Sequence, residues 1–527
     1  MKDNIKDNIR ERGRNIREKS KNRLFKLVFG RTLLIMLAVL VQVILWLAFT
    51  IWLNEYFVYF SILSTVLTAI LVIHIANNDI NPAYKMAWEY LVLSIPVFGS
   101  LFYVLIKIHP GRRFLKERMI QIADETKPYL VQNENVLEEL KNSNDELYGL
   151  AKYVSKYAGY PCLKNSKTKY FPLGEDMFEE MLVQLRQAKE FIFLEYYIVD
   201  DGVMWDSILD ILCDKVEEGV EVRFMYDGMC TMKLLPHDYP KDMEKLGIKC
   251  KVYSPIRPAI STYQNNRDHR KICVIDGRVA FTGGVNLSDE YININSKFGH
   301  WKDTAIMLEG EAVNNFTMMF LQVWNITEKQ KEDYAKYIRK SDVSAKGYVI
   351  PYSDNPYNKE NVGEFVYMDI LNNARDYVHI MTPYLVIDNE MLMCLEYAAK
   401  RGVDVKIILP HITDNPTEYK IARNLYPRLL ERGIKIYEYT PGFVHAKTFV
   451  SDNKKAVVGT INLDFRSMYL NMECAAYIQG MDEILKIEED FNDTLAKCEE
   501  ITMENCEKYS KVKAFIGKVL WIMSPLM

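Results

Sequence analysis

The chain has 527 residues, 49% of them hydrophobic and 26% charged, a balance that excludes large-scale disorder and leaves room for two or three domains of about 150 residues each. Its net charge of −4 argues against a protein that holds nucleic acid by bulk electrostatics. Nine cysteines form no CxxC pair and are irregularly spaced, which favours small buried side chains in a reducing compartment over a disulfide framework or a zinc site.

Residues 1–31 form a basic tail, with eleven Lys or Arg against four Asp or Glu. The next segment, residues 32–108, reads as a membrane module of two or three hydrophobic helices. Thr32 to Leu53 is almost wholly apolar and, at about 1.5 Å per residue, long enough for a bilayer core of about 30 Å. It is too long for a simple signal peptide and lacks a small-residue cleavage site. A second run spans Tyr56 to Ala76, its hydroxyls tolerable because they bond back to the helix. A third, Ala87 to Ile108, contains Glu89, Pro96 and Gly99, and its pattern fits a span, a kink or a re-entrant hairpin. Basic residues precede the first run and follow the third (Lys107, Arg112, Arg113, Lys116, Arg118), so both flanks favour the cytoplasmic side. That requires an even number of crossings, with the third run as a hairpin; the alternative is three crossings and a domain facing outward.

Residues 109–160 are polar and helical in pattern and read as a linker. From Tyr170 onward, β-rich runs (Phe191–Tyr197, Val220–Tyr226, Lys249–Tyr253) alternate with amphipathic stretches, the signature of an α/β fold. This part is a duplication, with one half over 161–345 and the other over 346–527. His269-Arg270-Lys271-Ile272-Cys273-Val274-Ile275-Asp276 returns as His445-Ala446-Lys447-Thr448-Phe449-Val450-Ser451-Asp452. Gly283-Gly284-Val285-Asn286 returns as Gly459-Thr460-Ile461-Asn462, at the same offset of 176. Weaker echoes lie upstream: Phe193-Leu194-Glu195-Tyr196-Tyr197 with Ile380-Met381-Thr382-Pro383-Tyr384, Gly219-Val220 with Gly402-Val403, and Gly247-Ile248 with Gly433-Ile434. Two homologous halves related by a pseudo-two-fold axis are the economical account.

Residues two apart on a strand share a face, so His269 presents with Lys271 and His445 with Lys447. Asp276 and Asp452 fall at an odd offset, at the strand end, where a turn role and a catalytic role are equally well motivated. Brought together, the halves offer two imidazoles, two ammonium groups and two amides, a set suited to a phosphodiester. One His attacks phosphorus while the other protonates the leaving alkoxide and then deprotonates the incoming one. Lys271, Lys447, Asn286 and Asn462 hold the non-bridging oxygens. Because the lysines supply positive charge, the chemistry calls for no metal and no cofactor.

On these residues the chain resembles the phospholipase D superfamily, whose signature HxKx4Dx6G(G/S/T)xN occurs twice, and the resemblance covers roughly residues 150 to 500. It implies a duplicated domain of two α/β/α sandwich halves preceded by transmembrane helices. Softer matches make the chain similar to bacterial cardiolipin synthases: Lys85-Met86-Ala87-Trp88, Ile95-Pro96-Val97-Phe98-Gly99, Leu194-Glu195-Tyr196-Tyr197-Ile198, Thr382-Pro383-Tyr384 and Asn462-Leu463-Asp464-Phe465-Arg466-Ser467. That resemblance implies transfer of a phosphatidyl group from one phosphatidylglycerol to another in the bacterial plasma membrane, through a phosphohistidine. By analogy His269 is the nucleophile and His445 the general acid, with the reverse open. Orienting carboxylates are expected from Asp303 behind His269 and Glu473 behind His445. A phospholipase D-type hydrolase, or another phosphatidyltransferase, is the alternative. The first apolar run goes beyond the two segments typical of the family, which leaves the topology open. The C-terminal stretch Val512 to Met527 is amphipathic and fits an interfacial helix and a core-capping helix equally well.

Overall fold

The computed structural model describes residues 54–107, 110–143, 145–255, 266–295, 297–358 and 360–526, with Leu40, Ile44, Leu47 and Ala48. The basic tail and almost all of the first apolar run lie outside the described residues.

The second run forms a helix, Asn54–Ala76, and its Val58–Ala76 stretch is the one described helix long and apolar enough to cross a membrane. The third run does not continue as a single helix. Asn81 caps a helix over Pro82–Ser94, its side chain accepting from Ala83 N. The chain then reverses into a second helix, Pro96–Lys107. Trp88 meets Phe102 and Tyr103 at 5.9 and 5.2 Å between ring centroids, a contact that a continuous helix would place about 20 Å apart. Gly99 permits the reversal, since a Cβ there would fall 2.5 Å from Leu91 O. Each arm, at about 20 Å, is shorter than a bilayer core.

Residues 110–160 are not a free linker. Leu115, Met119 and Ile122 of helix Pro110–Thr126, Val136 and Leu140 of Glu134–Asn142 and Leu147 and Leu150 of Leu147–Tyr153 all join the main buried cluster. Their helical pattern was legible; their one apolar face is what docks them.

The two halves repeat one sheet. In the first, the order is Ser166–Phe171, Ala305–Gly310, Val279–Gly283, Lys271–Ile275, Phe191–Tyr196, Glu221–Asp227, Lys249–Tyr253. The second runs Tyr348–Asp354, Glu473–Gln479, Lys455–Gly459, Thr448–Ser451, Tyr377–Met381, Asp404–Pro410, Lys435–Tyr439, with Cys498–Ile501 added at the edge. Parallel and antiparallel pairings match strand for strand. The register refines one echo. Glu195 stands opposite Ile272, and Met381 stands opposite Thr448, so Glu195 corresponds to Met381 rather than to Thr382.

Period-two alternation builds the layers. Ile272 and Val274 enter a core that continues into the second half. Cys273 and Ile275 face the opposite way, into a core with Met181, Trp205 and Leu212 from helices Gly174–Arg186 and Val203–Glu217. The helix Val313–Trp324 is buried along most of its length and belongs to the continuous core. All nine cysteines are free, six of them buried.

Candidate active site

Each His-Lys pair sits at the start of the central antiparallel strand of its half. The backbone N–H of His269 donates to Met472 O at 2.9 Å, and that of His445 donates to Lys302 O at 2.7 Å. These two bonds are pseudo-symmetric counterparts, and both cross from one half to the other. A short parallel pairing of Gly442–Val444 with His300–Lys302 reinforces the second, and the Asp268–Met472 bridge the first.

The carboxylates cross with them. His269 Nδ1 lies 3.0 Å from Glu473, and His445 Nδ1 lies 2.6 Å from Asp303 Oδ2. Each carboxylate expected behind a histidine does lie against one, but the pairing is the reverse of the expected one: Glu473 lies against His269 and Asp303 against His445. Topology explains the exchange. Within its own half, each carboxylate adjoins a strand two places from the one that follows its histidine, about 10 Å away. The docked half abuts the carboxylate directly.

Lys271 Nζ donates to His269 O, and Lys447 Nζ to His445 O, which leaves other ammonium hydrogens for a ligand. The two half-sites share one field. Burial first, then the Lys447 and Lys271 charges, hold His445 down to about 3 against the pull of Asp303. Burial likewise lowers His269 to about 4, with both lysines adding to it and Glu473 opposing. Burial brings Lys271 down to about 8 and Lys447 to about 7, opposed by Glu473 and Asp303. Burial alone would raise the two carboxyls; their histidines and the lysines keep both below the usual range.

Asp276 and Asp452 stand away from these side chains, so the geometry matches the turn role and not the catalytic one of the two that their position allowed. About 17 Å of strand separates Asp276 from Lys271. At φ 54° and 55°, each closes a turn. Asp276 accepts from Lys189, Glu190 and Phe191 N, each at 2.8 Å. Asp452 accepts from Arg375, Asp376 and Tyr377 N at 2.8 to 3.0 Å. Of the two asparagines, Asn286 is bonded into the wall at both ends of its amide, whereas the buried Oδ1 of Asn462 has no hydrogen-bond partner. Asn286 accepts from Ile198 N at 3.0 Å and donates to Tyr291 OH at 2.8 Å. Asn462 bonds to Asp464.

Several neighbours carried no sequence signal of their role. Glu473 also accepts from Thr460 Oγ1, from Ser467 Oγ at 2.8 Å and from Asn471 Nδ2 at 3.3 Å. Tyr197 stands edge-on to His269 at 5.0 Å. Around His445 the walls are aromatic: Tyr291 at 5.4 Å, Trp301 at 5.3 Å and Phe443 at 5.9 Å between centroids. The glycine echo could have signalled one difference: Gly284, where the second half has Thr460, leaves room that Asp303 fills, since a Cβ there would lie 1.9 Å from Asp303 Oδ1.

A duplicated α/β fold with paired His-Lys strands meeting across the halves is the phospholipase D type of enzyme. The family model described as cardiolipin synthase, PLD-like domain, matches residues 181–324 and 367–495, and the chain belongs to that family. A Streptococcus mutans protein, named only as uncharacterized, is 50% identical over 86% of this chain and 99% of its own length. Cardiolipin synthase 2 of Bacillus anthracis is 33% identical over 85% of this chain and 87% of its own. The crystal structure of phosphatidylserine synthase from Haemophilus influenzae aligns with a TM-score of 0.52 at 13% identity, over 67% of this chain and 92% of that one; this likeness concerns the fold.

Proposed function

We propose that this chain is a phosphatidyltransferase that makes cardiolipin and glycerol from two phosphatidylglycerol molecules. The observation that carries the reading is the crossed arrangement: two His–carboxylate pairs and two buried lysines close enough to share one electrostatic field. The cardiolipin synthase name of curated relatives over most of the chain supports the substrate class.

With Nδ1 held by a carboxylate, each histidine keeps Nε2 for the substrate. His269 Nε2 attacks the phosphorus of the first lipid, and the bond from phosphorus to the glycerol oxygen breaks. His445 Nε2–H protonates that oxygen, and glycerol leaves. Neutral His445 then takes the proton from a hydroxyl of the second lipid. The resulting oxygen attacks phosphorus, displaces His269 and yields cardiolipin. The lysines neutralise the non-bridging oxygens throughout. An anionic phosphodiester between them also offsets the charge that depresses His445, so the bound substrate favours its protonated form. The apolar helix Asn54–Ala76, the first run and the hairpin of residues 82–107 make the enzyme a multi-pass protein of the bacterial plasma membrane in this reading.

The test is reconstituted protein with labelled phosphatidylglycerol, with and without EDTA, beside His269→Ala and His445→Ala. Cardiolipin plus glycerol, insensitive to chelator and lost in both variants, is expected. Phosphatidic acid as the main product would move the assignment to a hydrolase.

A further inference from the structure

The C-terminal helix Lys511–Met523 touches the rest of the molecule along a narrow stripe. Gly517 is its buried residue, and a Cβ there would fall 1.8 Å from Asn424 Nδ2 and 2.6 Å from Lys420 O. The glycine thus seats the helix against Pro416–Glu431. The outward side is apolar: Val512 is 69% exposed, Phe515 68%, Ile516 40%, Val519 48% and Ile522 38%. At 3.6 residues per turn these five fill one arc of about 120°. Lys511 and Lys518 border one edge of the arc, and Lys513 lies beyond the other.

Water is a poor neighbour for so continuous a strip, and the fold indicates what covers it. The helix runs directly into a turn, Ser524–Leu526, whose Ser524 and Pro525 are buried. Leu526 packs on the cluster of Leu71, Ile75, Trp88, Val92 and Tyr103, and Leu520 and Tyr84 both pack on that of Val386, Ile421 and Phe465. The helix is therefore fastened to the apolar helix Asn54–Ala76 and to the hairpin, which itself exposes Met86, Tyr90, Leu93 and Leu101. Its bare face thus belongs to a helix anchored on the membrane module.

We propose that this face is a monotopic contact with the bilayer. The helix, about 20 Å long, lies in the membrane plane with its apolar arc about 5–10 Å into the boundary of headgroups and acyl chains. The flanking lysines extend to the phosphate level of anionic lipids. The proposal rests on the membrane attachment inferred above and adds a lipid contact made by the far end of the chain.

The test uses full-length protein with Cys394, Cys498 and Cys506 replaced by Ser and an environment-sensitive fluorophore attached through Val519→Cys. A control carries it through Glu218→Cys, on the first half. Both are reconstituted in phosphatidylglycerol/phosphatidylcholine vesicles with or without lipids spin-labelled near the top of the acyl chain. The expected result is about twofold quenching at position 519 and none at 218, as an interfacial depth requires. Water-like emission without quenching at 519 would overturn the proposal. So would shielded emission without quenching, which would mean that a second copy or residues 32–53 cover the face. Failure of the protein to float with vesicles would remove the attachment itself. Cardiolipin formation, measured on the same vesicles, reports on the reaction independently of all three.

Discussion

His269 and His445 occupy equivalent places in two copies of one fold, yet their surroundings have parted. Around His269 the environment is polar: Glu473 is shared with Thr460, Ser467 and Asn471, and the adjoining Arg270 lies in a buried network with Glu195 and Asp268. Around His445 it is aromatic, and Asp303 takes 2.6 Å from the imidazole and one 2.8 Å bond from Thr304 N. Ala446 and Met381 stand where the first half has Arg270 and Glu195. The two halves share the backbone plan, while the side chains around their histidines have diverged. A carboxylate with several donors serves as a fixed anchor. One with few donors answers to the charge on its histidine.

The sharpest break in the comparison is chemical. His269→Ala should lower turnover on the order of 10⁴-fold or more, with no phosphatidylated protein formed. His445→Ala should cost about 10²–10⁴-fold and, given a donor lipid with a good leaving group, should accumulate phosphatidyl-His269. Intact-protein and peptide mass spectrometry reads the adduct; finding it on His445 would exchange the roles.

Next come the anchors. Asp303→Asn should reduce kcat by about 10²–10⁴-fold, through loss of the tautomer and of imidazolium support. Glu473→Gln should cost less, because Thr460, Ser467 and Asn471 hold the amide in place, and Thr460→Val less again. Steady-state kinetics on the three variants gives the order, and a reversed order would contradict the division of tasks.

The pH profile tests the shared field. Below about 4 His269 gains a proton and stops attacking; above about 7 and 8 Lys447 and Lys271 lose theirs and release the phosphate. Thus kcat/KM should fall on the alkaline side through this window, in contrast to ordinary lysines near 10. An alkaline limb near 10 would show that the lysines keep full charge.

Stability effects are smaller. Arg270→Ala strands buried Glu195 and Asp268 and should cost about 3–5 kcal/mol. Moving the second half's residues into the first, as Glu195→Met/Asp268→Val/Arg270→Ala, should restore most of that loss in thermal unfolding. Asp276→Ala should cost about 1–3 kcal/mol while kcat is unchanged; a large fall in kcat would return Asp276 to the chemistry.

Much of this was legible in the sequence because it is local. Strand periodicity put each His beside its Lys, and the repeated Gly and Asn fixed the halves in register. Pro96 and Gly99 marked the place where the third apolar run reverses. What stayed hidden depends on contacts between distant segments. Asp303 and Glu473 are recognisable as candidates, but their partners follow from how the halves dock. Asp276 left a turn role and a catalytic role equally open, and only its bonds to Lys189, Glu190 and Phe191 N at the far end of the strand favour the turn. Asn286 has the chemistry of a phosphate ligand, yet it is held by Ile198 N and Tyr291 OH. The helices Pro110–Thr126 and Glu134–Asn142 are polar on average, and only their narrow apolar faces dock them in the core.

The crossing of the carboxylates has a consequence for biosynthesis. A nascent chain that has released only its first half holds His269 and Lys271 without Glu473, which leaves the ribosome about two hundred residues later. The His269 imidazole is therefore without its carboxylate during most of the translation that remains after it is made, and its pairing is completed late, with the strand Glu473–Gln479. A truncated product ending before that strand lacks both the Glu473 carboxylate and the Met472 carbonyl that hold His269, so incomplete synthesis should leave an idle protein.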